Sequence, residues 1–284
     1  MANLLKGKEV AEAINNKSKE EVIALKEKGI TPTLAILRAG EKENDLSYER
    51  GTIKRCEEVG VKVIVNALKE DVSKDDFYAK LNELNNDSNI HAILIFRPLP
   101  KELDNELARN SVKAVKDVDG SSDASLSGVF TNSNVGYAPC TAQAAMEILK
   151  HYNIDLKGKN VVVLGRSLVV GKPLSMLLLN SNATVTICHT KTVNIKEITK
   201  KADIVIAATG QMESLTKDYF SNNQTIIDVG ISWNETKNKL CGDVLFEEVE
   251  PNVLNITPVP GGVGSVTTSV LVSHVVEACK KQTK

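Results

Sequence analysis

Short apolar runs of the β type alternate with stretches of helical periodicity along nearly all of this 284-residue chain. That rhythm is the tightest constraint on its fold. A strand that returns to its sheet through a helix pairs in parallel, and a parallel sheet needs helices on both faces. Val10, Ala13, Ile14, Val22 and Leu25 mark the inner face of an opening helix that Gly29 stops. Residues 34–37 read as a buried strand, 47–59 as a helix closed by Gly60, and 61–65 as a second strand. Ser73 and Asp76 form a capping box for a helix through Leu84. Residues 92–96 are a third strand, ended by Pro98. Residues 116–137, rich in Asp, Ser, Gly and Asn, break the pattern and read as a long ordered loop near a site. A helix over 141–152 opens a second series, with strands over 160–164, 184–188, 204–207 and 225–229. A last helix spans 267–281. The expected class is α/β.

Composition narrows the function. Hydrophobic residues make up 42% and charged residues 25%, which suits a globular chain with room for two domains. The 35 basic and 36 acidic residues leave a net charge of −1, so neither nucleic acid nor a membrane surface is an expected partner. Cys56, Cys140, Cys188, Cys241 and Cys279 are dispersed, odd in number and without a CxxC pair. That argues against a disulfide framework or a metal site and for a reducing, cytoplasmic home. No signal-peptide pattern and no membrane-spanning run are read.

The strand over 160–164 runs into Gly165-Arg166-Ser167-Leu168-Val169-Val170-Gly171-Lys172-Pro173. Gly165 permits a tight turn, Ser167 allows close approach to phosphate, and Gly171 lets the next helix pack on the strand. The start of that helix offers free amides to a pyrophosphate. The spacing departs from GxGxxG, and its context of strand, turn, helix and strand carries the reading. The bland alternative is an ordinary strand-to-helix turn. The following strand ends at Cys188-His189-Thr190-Lys191 with no acid for ribose hydroxyls. Arg166, Thr190 and Lys191 suit a 2′-phosphate, which favours NADP over NAD, unless both charges are merely solvated. Thr209-Gly210 and Gly230-Ile231 follow two further strands, where α/β folds bind ligands.

Six motifs now stand in order: the segments 56–60, 98–100, 116–120, 139–141, 165–173 and 257–264, the last reading TPVPGGVG. Together they resemble the methylenetetrahydrofolate dehydrogenase/cyclohydrolase family over nearly the whole chain. The resemblance implies an N-terminal α/β folate domain, residues 1–138, completed by a C-terminal helix, 267–284. It implies a Rossmann-type doubly wound NADP domain over 139–266, a site in the cleft between the two, and a homodimer built through the NADP domains. It also implies that Tyr48 stacks on the folate ring, that Asp119 holds the pterin, and that Pro260, Gly261 and Gly264 line the folate site.

Two family positions differ here. The catalytic lysine, four residues after the tyrosine, is Thr52, and the site glutamine is Phe96. Ser265 also stands where a proline usually follows GGVG. Hydride transfer from the methylene carbon to the nicotinamide needs alignment rather than an acid or base. Hydrolysis of the methenyl product needs a proton carrier poised near neutrality, worth about 10²–10⁴ in rate. The expectation is a dehydrogenase whose cyclohydrolase activity is weak or absent. Arg55 shares the helix face of Tyr48, but a guanidinium does not transfer protons at neutral pH. The alternatives are a fully bifunctional enzyme, an inactive folate- or nucleotide-binding homologue, and an unrelated two-domain dehydrogenase. His189 reads as bordering the adenosine end, and His91, His151 and His274 as surface or packing residues.

Overall fold

The computed structural model describes residues 1–283; Lys284, at the end of the expected segment 267–284, lies outside the described residues. The chain opens with a two-residue strand, β1 (Asn3–Leu4), and a long helix, α1 (Gly7–Glu27). Strand and helix then alternate through β2 (Thr33–Ala39), α2 (Glu43–Val59), β3 (Lys62–Leu68), α3 (Lys74–Asn86), β4 (Ala92–Ile95) and α4 (Asn105–Ser111). Two helices follow, α5 (Asp123–Thr131) and α6 (Cys140–His151). A second alternation runs β5 (Asn160–Leu164), α7 (Gly171–Asn180), β6 (Thr184–Cys188), α8 (Ile195–Lys200), β7 (Ile204–Ala207) and β8 (Thr225–Asp228). A hairpin of β9 (Ser232–Asn234) and β10 (Lys239–Cys241), the single turn α9 (Phe246–Val249), the strand β11 (Asn255–Ile256) and the helix α10 (Gly264–Gln282) complete the order. The chain divides into one unit of Ala13–Cys140 with Thr268–Lys284 and another of Met1–Glu12 with Thr141–Thr267.

The first unit is built on a parallel sheet of order β3-β2-β4. Every residue of β2 and β4 is buried, as strands covered on both faces must be, while the edge strand β3 is partly open. Phe77, Leu81 and Leu84 of α3 pack with Leu37, Ile93 and Ile95 in one apolar cluster. The capping box forms as the sequence implies. The Asp76 amide donates to Ser73 Oγ at 3.1 Å, and that hydroxyl donates to the Asp76 carboxylate at 2.7 Å.

Residues 116–137, expected as a loop, contain α5. Its Ser and Gly residues are weak helix formers, which hid it. Ser122 Oγ caps it by accepting from the Ser125 amide, and Asn132 ends it in the left-handed region at φ 52°. Asp117, 2% exposed, anchors the turn before it, accepting from the Ser122 amide at 2.8 Å and Ser125 Oγ at 2.6 Å.

The second unit holds a six-stranded parallel sheet of order β1-β11-β8-β7-β5-β6. The chain leaves β5 for β6 on one side, then returns to place β7 on the other. This doubly wound plan is the expected one, with one difference. The sequence reading gives residues 1–138 to the first domain, but β1 pairs in parallel with β11, Asn3 opposite Asn255 and Leu4 opposite Ile256. Two residues are too few to show a period of two, so nothing local announces this strand. Helix α10 also starts at Gly264, ahead of the expected 267.

Phe77 is fully buried and is among the largest side chains of that class. Phe77→Ala is expected to destabilise the first unit by ~3–5 kcal/mol, read as an earlier transition in chemical denaturation followed by circular dichroism.

Candidate active site

In the first sheet the chain places β3 on one side of β2 and β4 on the other, so the carboxyl ends of β2 and β4 flank a point where strand order reverses. Such points are where open α/β sheets take ligands. Tyr48, Phe96, Arg97 and Asp119 line a cavity of about 160 Å³ there, with Asp45 at its side. Tyr48 comes from α2, Phe96 and Arg97 follow β4, and Asp119 lies in the turn that Asp117 anchors. The Tyr48 and Phe96 rings are 5.7 Å apart with planes tilted by 51°. Phe96 is 6% exposed, whereas Tyr48 keeps an open face at 39%. Burial of the phenol end, followed by the nearby Cys140 and Asp119, pushes the Tyr48 pKa up.

Thr52 sits one turn along α2 from Tyr48 and is fully buried. Its hydroxyl makes no hydrogen bond of good geometry, although it lies close enough to the Tyr48 phenol to counter part of that rise. The contact is weak and the Thr52 hydroxyl is orphaned. A buried orphan of this kind costs about 1–3 kcal/mol.

Asp119 has a side chain 34% exposed, and Arg97 Nη2 stands 3.3 Å from its Oδ2. Surrounding protein raises the Asp119 pKa, and the Arg97 guanidinium opposes that rise. Sequence reasoning did not find Arg97. Its signal was a charge placed directly after an apolar strand, at the carboxyl end. The residue before Asp119 is fixed by its carbonyl: Val118 O accepts Cys140 Sγ–H at 3.2 Å and lies 2.9 Å from His274 Nδ1. Burial lowers the His274 pKa, which keeps the ring neutral and able to donate from Nδ1. Arg55 is engaged with Glu58 at 2.9 Å.

In the second unit, Gly165, Arg166, Ser167, Thr190 and Thr209 line one cavity of about 310 Å³, as does His189. Gly165 has φ 134°, and a Cβ on it would run into the Ala208 carbonyl oxygen. A Cβ on Gly171 would strike the Gly165 carbonyl, so both glycines are required by the close meeting of turn, strand and helix. Ser167 Oγ accepts the Val170 amide at 3.1 Å and shapes the turn. No side chain caps the start of α7; the Lys172 amide is taken by the Ser167 carbonyl at 3.0 Å and Pro173 has none, so the Gly171 amide is the one this end presents to an anion. These features fit a dinucleotide phosphate, and the cavity wall carries Arg166 and Thr190 with no carboxylate. Tyr219, Gln211 and Ser214 also line it. Sequence reasoning missed these three because they come from an irregular segment without a period.

Ile231 is exposed and lies 3.7 Å from the Cβ position of Gly264. Pro260, Gly261 and Gly264 belong to this second unit, where the Gly261 carbonyl accepts the Gly7 amide at 2.8 Å. Gly210 adjoins Thr209, and both amides are held by Asp243.

Residues 5–119 match the family described as tetrahydrofolate dehydrogenase/cyclohydrolase, catalytic domain, and residues 139–283 match its NAD(P)-binding domain. The chain belongs to the tetrahydrofolate dehydrogenase/cyclohydrolase family. It is 50% identical over 281 residues to the bifunctional protein FolD of Clostridium botulinum, covering 99% of each chain. It is also similar to the crystal structure of bifunctional FolD from Campylobacter jejuni, with a TM-score of 0.95, 38% identity and 99% of each chain covered. A Trypanosoma brucei FolD structure, complexed with NADP cofactor and inhibitor, matches with a TM-score of 0.91 and 32% identity over 99% of this chain and 98% of that one. In this family member the acid-free mouth beside β6 suits NADP.

Gly165→Ala is expected to weaken NADPH binding by ~10-fold or more, since strain and collision at the turn are of order 1–3 kcal/mol. Titration by NADPH fluorescence checks this.

Proposed function

We propose that the protein oxidises 5,10-methylenetetrahydrofolate to methenyltetrahydrofolate by hydride transfer to NADP, with methenyl cyclohydrolase activity weak or absent. The observation that carries the second half is the pair Thr52 and Phe96 around Tyr48: a buried, unbonded hydroxyl and a buried ring. NADP, when bound, supplies the acceptor for a hydrogen that leaves the methylene carbon with its electron pair. The folate nitrogens share the positive charge left behind, and no proton is transferred. The demand on the protein is therefore alignment. Tyr48 offers an exposed ring face for stacking, Phe96 backs that ring, and Asp119 presents a carboxylate to the polar edge of a pterin.

Hydrolysis of the methenyl cation asks for more, because water must lose a proton as it attacks. The Thr52 hydroxyl and the Phe96 ring take no proton near neutral pH, the Tyr48 phenol is pushed further from that range, and Arg97 is permanently charged. A second reading, full bifunctionality, is favoured by similarity to the bifunctional protein FolD of Clostridium botulinum. In that case Asp119 would have to carry the proton.

Dimerisation through the second unit belongs to the same proposal. It is supported by β6, an edge strand of that sheet with Ile187 exposed, and by the exposed Leu179 of α7. Light scattering across a dilution series tests it. None of the helices in the described residues is long and apolar enough to cross a membrane.

Two assays separate the readings. NADPH formation from methylenetetrahydrofolate is expected to be robust, while added enzyme leaves the decay of methenyltetrahydrofolate close to its uncatalysed rate. Thr52→Lys with Phe96→Gln is expected to raise hydrolysis by roughly 10²-fold or more. Wild-type hydrolysis that keeps pace with the dehydrogenase step would favour the bifunctional reading.

A further inference from the structure

Two buried carboxylates stand at the cofactor end of the second unit, outside the mechanism just described. Asp228 ends β8 and Asp243 follows β10, at 3% and 1% exposure. Asp228 Oδ1 accepts the amides of Gly230 at 2.9 Å and Asp243 at 3.1 Å, and its Oδ2 accepts that of Val244 at 2.9 Å. Asp243 Oδ2 accepts the amides of Thr209 at 2.5 Å and Gly210 at 3.0 Å. Thr209 lines the cofactor cavity, so this carboxylate grips the cofactor loop from behind. Asp243 Oδ1 is buried and has no hydrogen-bond partner. The packing has no slack: a Cβ on Gly230 would strike Asp243 Oδ1, and one on Gly242 would strike Asp228 Oδ2.

No cation neutralises the pair among the described residues. Glu213, on the loop after β7, holds Lys237 of the hairpin at 2.5 Å, and Lys239 of β10 holds Glu247 of α9 at 2.9 Å. Cys241 is a thiol held protonated by burial. Thr257, after β11, bonds the main chain of Asp228 through its hydroxyl, accepting the Asp228 amide at 2.7 Å. Two full negative charges side by side here would be strongly disfavoured, and like-charged carboxylates resolve this by keeping a proton. Burial, reinforced by Asp243 and opposed by the three amides, pushes Asp228 up to about 7.

We propose that Asp243 is a positioning residue for the cofactor loop, its carboxylate clamping the Thr209 and Gly210 amides, and that the neighbouring Asp228 governs how firmly it holds them. The proposal rests on the second unit being the nucleotide-binding one. With the proton in place the clamp is tight. As pH rises through neutrality the proton leaves, two anions repel in a closed space, and the loop loosens. Nucleotide affinity therefore falls with rising pH.

The test is NADPH titration of the full chain, by fluorescence, from about pH 6 to about pH 9. The wild-type dissociation constant is expected to rise by about tenfold over that range. Asp243→Asn keeps an oxygen for the two amides and removes the charge beside Asp228, so its curve is expected to be flatter than wild type. Asp243→Ala is expected to weaken binding by about tenfold or more at the acid end, where the clamp is intact. Asp228→Asn, expected to flatten the curve likewise, serves if the alanine variant fails to fold. His189 lines the same cavity in every variant, so only the difference between curves reports on the pair. An Asp243→Ala dissociation constant within about twofold of wild type, or asparagine curves rising in parallel with wild type, overturns the proposal. A wild-type chain that binds no NADPH at any pH would overturn the nucleotide reading along with it.

Discussion

Parallel strand pairing governs both units of this chain. Parallel neighbours cannot be joined by a tight turn, so each strand is followed by a crossover, and all strand-to-helix turns of one sheet fall on the same edge. Where strand order reverses, two such turns diverge and leave a crevice. The first sheet reverses between β2 and β4, the second between β5 and β7. Tyr48, Phe96, Arg97 and Asp119 gather at one reversal, and Gly165, Arg166, Thr190 and Thr209 at the other. The fully buried strands beneath hold these turns in place, and the side chains and amides of the turns are what meets a ligand.

The strands of the second sheet were readable because their chemistry is local. Residues 160–164, 184–188 and 204–207 are strands with the same limits that their apolar runs suggest. The turn after β5 was readable too, because Gly165 and Gly171 are demanded by conformation and close packing within nine residues. What the sequence hid was settled by distance or by brevity. Strands β1, β9, β10 and β11 are two or three residues long and show no period. Helix α5 is made of weak helix formers held by its cap and by burial of Gly128 and Val129. In the site, Tyr48, Thr52, Phe96 and Asp119 entered through family resemblance, since no spacing rule joins positions so far apart. Arg97 and Asp243 were missed because each acts on a partner distant in sequence: Asp119, 22 residues away, and Thr209, 34 residues away.

The two chemical steps of the family place unequal demands on a pocket. Oriented contact serves the first, and a wall of aromatic rings supplies it without any titrating group. The second needs a group that changes charge near neutrality. In the cavity beneath Tyr48, Arg97 is fixed in charge and the phenol is shifted away from neutrality, which leaves the Asp119 carboxyl, raised by burial, as the group moved toward it. The buried Thr52 and Phe96 beside Tyr48 offer a ring wall and no group that titrates near neutrality.

Strand β1 has a consequence for how the molecule is made. It is the outermost member of the six-stranded sheet, yet it precedes by some 250 residues the strand it pairs with. During synthesis this short segment is made some 250 residues before the strand it pairs with, so the second unit cannot close that edge of its sheet until the intervening chain has emerged, and β1 waits unpaired through the folding of everything between.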